Sequence, residues 1–130
     1  MKKNLIRIFI IFCALITITA CESKDKLNLK VIATSWSGEQ NMQPPEEEFY
    51  YDVKLDEKYT VKEGGLGLTF TITEINKDSI VIETTEPFSE GEKGINLRSQ
   101  QKEFTIKKGE KIKLTTPTMD AGGIYYFELN

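Results

Sequence analysis

From residue 27 onward the chain repeats one pattern: an apolar residue at every second position, interrupted by turn residues, with no window of helical period. The clearest case is Leu66, Leu68, Phe70 and Ile72, which alternate with Gly67, Thr69, Thr71 and Thr73. Leu27, Leu29, Val31 and Ala33 alternate with Asn28 and Lys30, and Phe49, Tyr51, Val53 and Leu55 alternate with Tyr50, Asp52 and Lys54. Tyr59 and Val61 do the same with Thr60 and Lys62. A period of two puts alternate side chains on opposite faces, so each segment reads as a half-buried strand. Threonine, isoleucine, valine, tyrosine and phenylalanine, which dominate these runs, suit a pleated surface that packs on one side.

After Ile72 the phase shifts, because Ile75 rather than Glu74 is the next apolar residue, and this predicts a bulge. Asn76-Lys77-Asp78-Ser79 reads as a hairpin connection into a strand over 80–84. Pro87 and the stretch 89–94 read as a longer loop, followed by a short strand at Ile95 and Leu97. Phe104 and Ile106 mark another strand, and Lys108-Gly109-Glu110 a turn into Ile112 and Leu114. Tyr125, Phe127 and Leu129 form the last strand. The spacing predicts an all-β fold, an antiparallel β-sandwich of about eight strands over 27–130.

The N-terminal segment is different in kind. Met1-Lys2-Lys3 and Arg7 precede an apolar stretch from Ile8 to Ile18, which ends in Ile18-Thr19-Ala20-Cys21. This resembles the lipobox of bacterial lipoproteins, whose cysteine receives a diacylglyceryl group before the signal is removed. The resemblance implies a signal peptide at 1–20, lipidation of Cys21 and a polar tether over 21–26. A spanning helix needs roughly 20 apolar residues, more than the uncharged run from Ile8 to Cys21 supplies. An ordinary secretory signal cut at the same place would leave Cys21 as a lone thiol, an odd exported product. The expected location is the extracytoplasmic face of a cell membrane, and the abundance of Lys, Asn, Ile and Glu favours a Gram-positive surface.

The two cysteines, Cys13 and Cys21, both precede the strand region, so no disulfide staples it. Hydrophobic burial and sheet hydrogen bonds must hold the fold. Of 17 basic and 20 acidic residues, the signal removes Lys2, Lys3 and Arg7, leaving 14 against 20 and a formal charge of −6. That balance argues against nucleic acid, whose phosphates need neutralising lysine and arginine. It also argues against a second, electrostatic attachment to anionic lipid.

Asp120-Ala121-Gly122-Gly123-Ile124-Tyr125-Tyr126-Phe127 resembles the aspartate, small-residue and tyrosine run that enters a late strand of immunoglobulin-like domains. The resemblance implies an immunoglobulin-like or related Greek-key sandwich. Tyr125 would bond back to the corner, and Phe127 would stand in the place of the usual cysteine.

Histidine is absent, which removes hydrolysis by a serine or cysteine with a histidine base, and zinc sites of the histidine and cysteine type. No phosphate-binding glycine loop is present, and Gly64-Gly65-Leu66-Gly67 leads into a strand. No cofactor and no metal are expected. Glu46-Glu47-Glu48 after Pro44-Pro45 reads as a solvated acidic loop; the alternative is a calcium site, for which the run lacks the spacing. A glycosidase would need one of these glutamates to face Glu83 or Asp120 across a cleft.

Ser35-Trp36-Ser37-Gly38 holds the only tryptophan, in a polar, turn-rich segment over 34–45. Trp36 either covers an open end of the core or anchors a partner, with Tyr50 and Tyr126 adding outward-facing aromatic surface. Thr69, Thr71 and Thr73 read as a solvent-facing row. The leading functional expectation is a non-enzymatic, lipid-anchored binding module for a protein, a peptide or an envelope polymer. The alternatives are an accessory subunit of an envelope complex and a small enzyme working through carboxylates, with or without calcium.

Overall fold

The computed structural model describes residues 26–37, 45–63, 66–91, 99–118 and 121–130, the side chains of residues 63 and 66 excepted. The described residues contain no helix. They form eight strands: β1 (Asn28–Ser37), β2 (Glu47–Asp52), β3 (Lys58–Glu63), β4 (Leu66–Ile75), β5 (Ser79–Glu90), β6 (Gln100–Lys107), β7 (Lys111–Thr115) and β8 (Ala121–Leu129). Every ladder is antiparallel, and the strands follow the order β2-β1-β8-β7-β5-β4-β3, with β6 also paired to β5. The sheet curls nearly into a barrel, so that β3 comes into contact with β1.

The long β5 makes that closure possible. Its first half pairs with β4 on one side and β6 on the other; its last residues keep β6 and exchange β4 for β7. Between Glu83 and Phe88 the β5–β6 register shifts. Pro87 lies in this irregular stretch, where a missing N–H costs no ladder bond. The buried Thr84 hydroxyl is shared between the carbonyls of Glu86 (2.7 Å) and Lys102 (3.2 Å), and Lys102 Nζ donates to Thr85 O at 2.9 Å. These bonds satisfy carbonyls that the broken ladder releases.

The strand therefore continues through Pro87 to Glu90, where a loop was expected; the expected strand at Ile95 and Leu97 lies outside the described residues. Two other boundaries also move outward. β1 runs to Ser37, so Trp36 is a strand residue rather than part of a loop, and the acidic run is not a loop because β2 begins at Glu47. The expected bulge is present, with a register shift between Ile72 and Glu74. The hairpin at 76–79 closes through Asn76 N–H to Ser79 O (2.8 Å), and Gly109 takes φ +80° in the turn before β7.

The inward face of the sheet supplies the core: Leu29, Val31 and Ala33 of β1, Phe70 and Ile72 of β4, Ile80 and Ile82 of β5, Phe104 and Ile106 of β6, and Tyr125, Phe127 and Leu129 of β8. Phe70 sits where the walls meet. Its ring lies 5.3 Å from Tyr59, 5.9 Å from Tyr51 and 5.3 Å from Phe127. Tyr125 folds back along β8 over Gly123, where an added Cβ would come within 2.7 Å of its hydroxyl, and meets Phe88 edge-on at 5.8 Å. Asp120, the other half of the expected corner, lies outside the described residues.

Phe70→Ala should lower stability by about 3–5 kcal/mol, since it removes a fully buried ring that touches three strands. Gly123→Ala should cost about 1–3 kcal/mol by pushing the Tyr125 ring out of place. Urea melts followed by circular dichroism check both; a change below 1 kcal/mol at Phe70 would contradict its central place.

Candidate functional site

Register alone fixes what lies on the outer face of β2, β1, β8 and β7. Since Leu29, Val31 and Ala33 point inward, Lys30, Ile32, Thr34 and Trp36 point outward, and the paired strands follow the same parity. One row across the four strands reads Tyr50, Lys30, Glu128, Lys111. The next reads Glu48, Ile32, Tyr126, Lys113, followed by Thr34, Ile124, Thr115 and then Trp36, Gly122. The three aromatic residues singled out from the sequence, Trp36, Tyr50 and Tyr126, thus share one face. The rows of Tyr50 and Trp36 are six residues apart on β1, so the aromatic strip extends roughly 20 Å along the strands.

Tyr50 is 68% exposed and is held by its neighbours. Its hydroxyl donates to Glu48 Oε2 at 2.7 Å, Lys30 Nζ bonds Glu48 Oε1 at 2.8 Å, and the same ammonium lies 5.7 Å from the Tyr50 ring centroid. The hydrogen bond from Lys30, with that from Tyr50, holds the Glu48 carboxyl below the ordinary glutamate range. The same contacts raise Lys30 and Tyr50 above their ordinary values, the bond to Glu48 being the largest cause in each.

Tyr126 is half-buried beneath two ammonium groups, Lys111 Nζ at 4.9 Å from the ring centroid and Lys113 Nζ at 5.9 Å. Among the described residues neither lysine has a carboxylate within 4 Å. Both cations therefore rest on the electron-rich ring face with hydrogen-bonding capacity to spare.

Trp36 stands on this outer face, not over an open end of the core as one reading of the sequence expected. Its partner across the ladder is Gly122, where a Cβ would overlap Thr116 Oγ1 and approach Trp36 Nε1 to 2.9 Å. The absent side chain lets the indole N–H, Thr116 Oγ1 and Thr118 Oγ1 gather over β8. Thr116 Oγ1 accepts from Gly123 N–H at 3.0 Å and Thr118 Oγ1 bonds Ala121 O, while the buried Trp36 N–H has no hydrogen-bond partner among the described residues. Such a donor carries an uncompensated desolvation cost until an acceptor reaches it.

The remaining candidates separate. Glu47 and Glu48 are consecutive on β2 and so point to opposite faces, which prevents the acidic run from converging on a cation. Among the described residues no three acidic side chains gather to hold a metal ion. Glu83 lies in a different row, between Thr71 and Glu103, far along the strand order from Glu48. The threonine row is strand surface: Thr69 and Thr71 are half-buried, Thr73 is exposed, and Thr60 and Thr69 hydroxyls meet at 3.2 Å. Cys21 lies outside the described residues, and no described helix is long and apolar enough to cross a membrane. Sequence reasoning passed over Lys30, Lys111 and Lys113, although their alternation with Val31, Ile112 and Leu114 carried the signal.

No family model, no curated protein and no solved structure matches this chain.

Because the folded pKa of Glu48 is depressed, its contribution is present above the unfolded value, about 4.3, and is lost as pH falls through the folded value. Melting temperature should drop from pH 5 toward about pH 3, and Glu48→Gln should flatten part of that decline. Identical acid profiles for the two chains would show that the Lys30–Glu48–Tyr50 cluster contributes nothing.

Proposed function

We propose that the chain is a lipid-anchored, extracytoplasmic β-sandwich domain that binds a protein, a peptide or an envelope polymer without catalysing a reaction. Its contact surface is the outer face of β2, β1, β8 and β7. The observation that carries this reading is the gathering of Trp36, Tyr50 and Tyr126 on one face, with Lys111 and Lys113 poised over Tyr126. Rigid aromatic groups beside cations with unused donors are typical anchors of recognition surfaces. The lipobox-like ending at Cys21 supports the location, since a diacylglyceryl group there would hold the domain outside the cell. The sandwich description is supported by two layers, β3-β4-β5-β6 and β2-β1-β8-β7, joined through the end of β5.

Two experiments address the two halves of the proposal. Cys21→Ser in the producing cell should release the full chain from the membrane and abolish its lipid mass; unchanged attachment overturns the anchor. Full chain in mild detergent should bind purified envelope material from the same cells, and Tyr126→Ala should weaken that binding by roughly 30-fold, the scale of an interface hot spot. Equal retention of the chain carrying Trp36→Ala, Tyr50→Ala and Tyr126→Ala together would remove this face from consideration.

A further inference from the structure

Both ends of the strand order are open. Among the described residues β2 pairs only with β1, and β3 only with β4. These two edges, distinct from the outer edge of β6, lie on the same side of the molecule: the Tyr51 and Tyr59 rings are 5.0 Å apart, and Tyr59 Oη donates to Asp52 O at 2.6 Å. Yet β2 and β3 form no ladder, although only residues 53–57 connect them. The connection is tied elsewhere, through Asp56 N–H to Ile72 O at 2.8 Å, and Asp56 itself takes φ 59°.

The exposed backbone groups can be assigned. Val53 N–H bonds Leu27 O, so odd-numbered residues of β2 bond to β1, leaving N–H and C=O of Glu48 and Tyr50 and the N–H of Asp52 on the free edge, while Asp52 O takes the Tyr59 hydroxyl. Ile72 N–H bonds Glu57 O, so odd-numbered residues of β3 bond to β4, leaving the groups of Lys58, Thr60 and Lys62 free. Laid antiparallel, the edges match in register and in the sign of their charges. Glu48 meets Lys62, Tyr50 meets Thr60 and Asp52 meets Lys58, all with side chains on the outer face and the first two pairs with both bonding groups free. Inward, Phe49 meets Val61. Among the described residues Lys58 and Lys62 have no carboxylate within 4 Å, and only one carboxylate oxygen of Asp52 is engaged, by Lys26 at 2.9 Å. Self-pairing of two β2 edges would instead set acidic residues against acidic residues.

We infer that the chain forms a two-fold dimer in which β2 of each subunit pairs antiparallel with β3 of the other. β2 runs toward the end where β1 begins, since Asp52 pairs with Asn28, and β3 runs away from that end. A two-fold axis along the strands preserves every strand direction and exchanges the walls, so both ladders form at once and both edges are covered. The start of β1 then lies at the same end in both subunits, and two tethers emerge side by side. This geometry lets one membrane hold both anchors, and it doubles the outer face of β2, β1, β8 and β7 without using it. The dimer does not depend on the proposed function.

The test uses the full chain. Differently tagged copies carrying Tyr50→Cys or Thr60→Cys, co-expressed and oxidised in membranes, should give a mixed disulfide between the two tags, since hydrogen-bonded strand partners stand about 5.5 Å apart at Cα. Neither copy alone should give it, and a chain with only its own cysteines sets the background. Sedimentation of the purified chain should give twice the chain mass. Thr60→Pro, which deletes an N–H that points off the free edge, should return the single-chain mass with an unchanged far-ultraviolet spectrum. A single-chain mass at micromolar concentrations without the mixed disulfide overturns the proposal, as does a dimer that survives Thr60→Pro. Protection of the Tyr50 and Thr60 amides from exchange in a single-chain species also overturns it, because the edges would then have closed within one chain.

Discussion

The fold depends on the contact that Phe70 makes across the barrel. Among the described residues the ladders run continuously from β2 to β3 through seven strands and stop there, so the two ends of the path are held by side chains, including the Tyr59 hydroxyl on Asp52 O. Phe70 reaches Tyr59 on β3, Tyr51 on β2 and Phe127 on β8, and the Tyr51 and Tyr59 rings meet beside it. The described residues contain no cysteine, so this aromatic contact carries the load that a disulfide takes in many exported domains. Curvature follows from it. A sheet whose ends are drawn together by inward rings must bend, and the irregular stretch from Glu83 to Phe88 is where β5 bends.

The same closure decides which side chains face outward. Once the inward face is filled, only outward residues remain, and on β2, β1, β8 and β7 these are unusually aromatic. Lys30 pairs with Glu48, but Lys111 and Lys113 rest on the Tyr126 ring instead of pairing with acids, although the chain has more carboxylates than ammonium groups. Glu128 stands across the ladder from Lys111 and still forms no ion pair with it. Around Tyr126 the face is therefore locally cationic over aromatic surface within an acidic molecule, which in the proposed binding role would suit a partner bearing acidic or acceptor groups.

Legibility in the sequence followed burial. Where one face packs, as along β4, strict alternation with Leu68, Phe70 and Ile72 inward made the strand, its face and even its bulge readable. Toward the strand ends the inward residues become polar or small. Ser35 and Gly123 continue β1 and β8 without a hydrophobic signal, so β1 appeared to end before Trp36. Likewise Thr84 and Ser89 are buried polar residues of β5, and Pro87 between them looked like a terminator although it sits where the ladder is already broken. Alternation marked Tyr50 and Tyr126 as outward, and Trp36 stood out as the lone tryptophan; that the three share one face required the register, which depends on pairings between residues nearly a hundred positions apart.

Those distant pairings also bring the two ends of the domain together. Asn28 N–H bonds Asn130 O at 3.1 Å and Asn130 N–H bonds Asn28 O at 3.0 Å, so the last described residue is clamped to the first strand. A pull on the segment before β1 is therefore borne at once by β8 on one side and β2 on the other, both paired along the strand direction. Load along the strands must shear several ladder bonds together, whereas load across them would open bonds one at a time. If Cys21 carries the lipid, the tether would load the sheet in its resistant direction, and the aromatic face on the same three strands would transmit a partner's pull to the anchor without passing through the less regular stretch of β5.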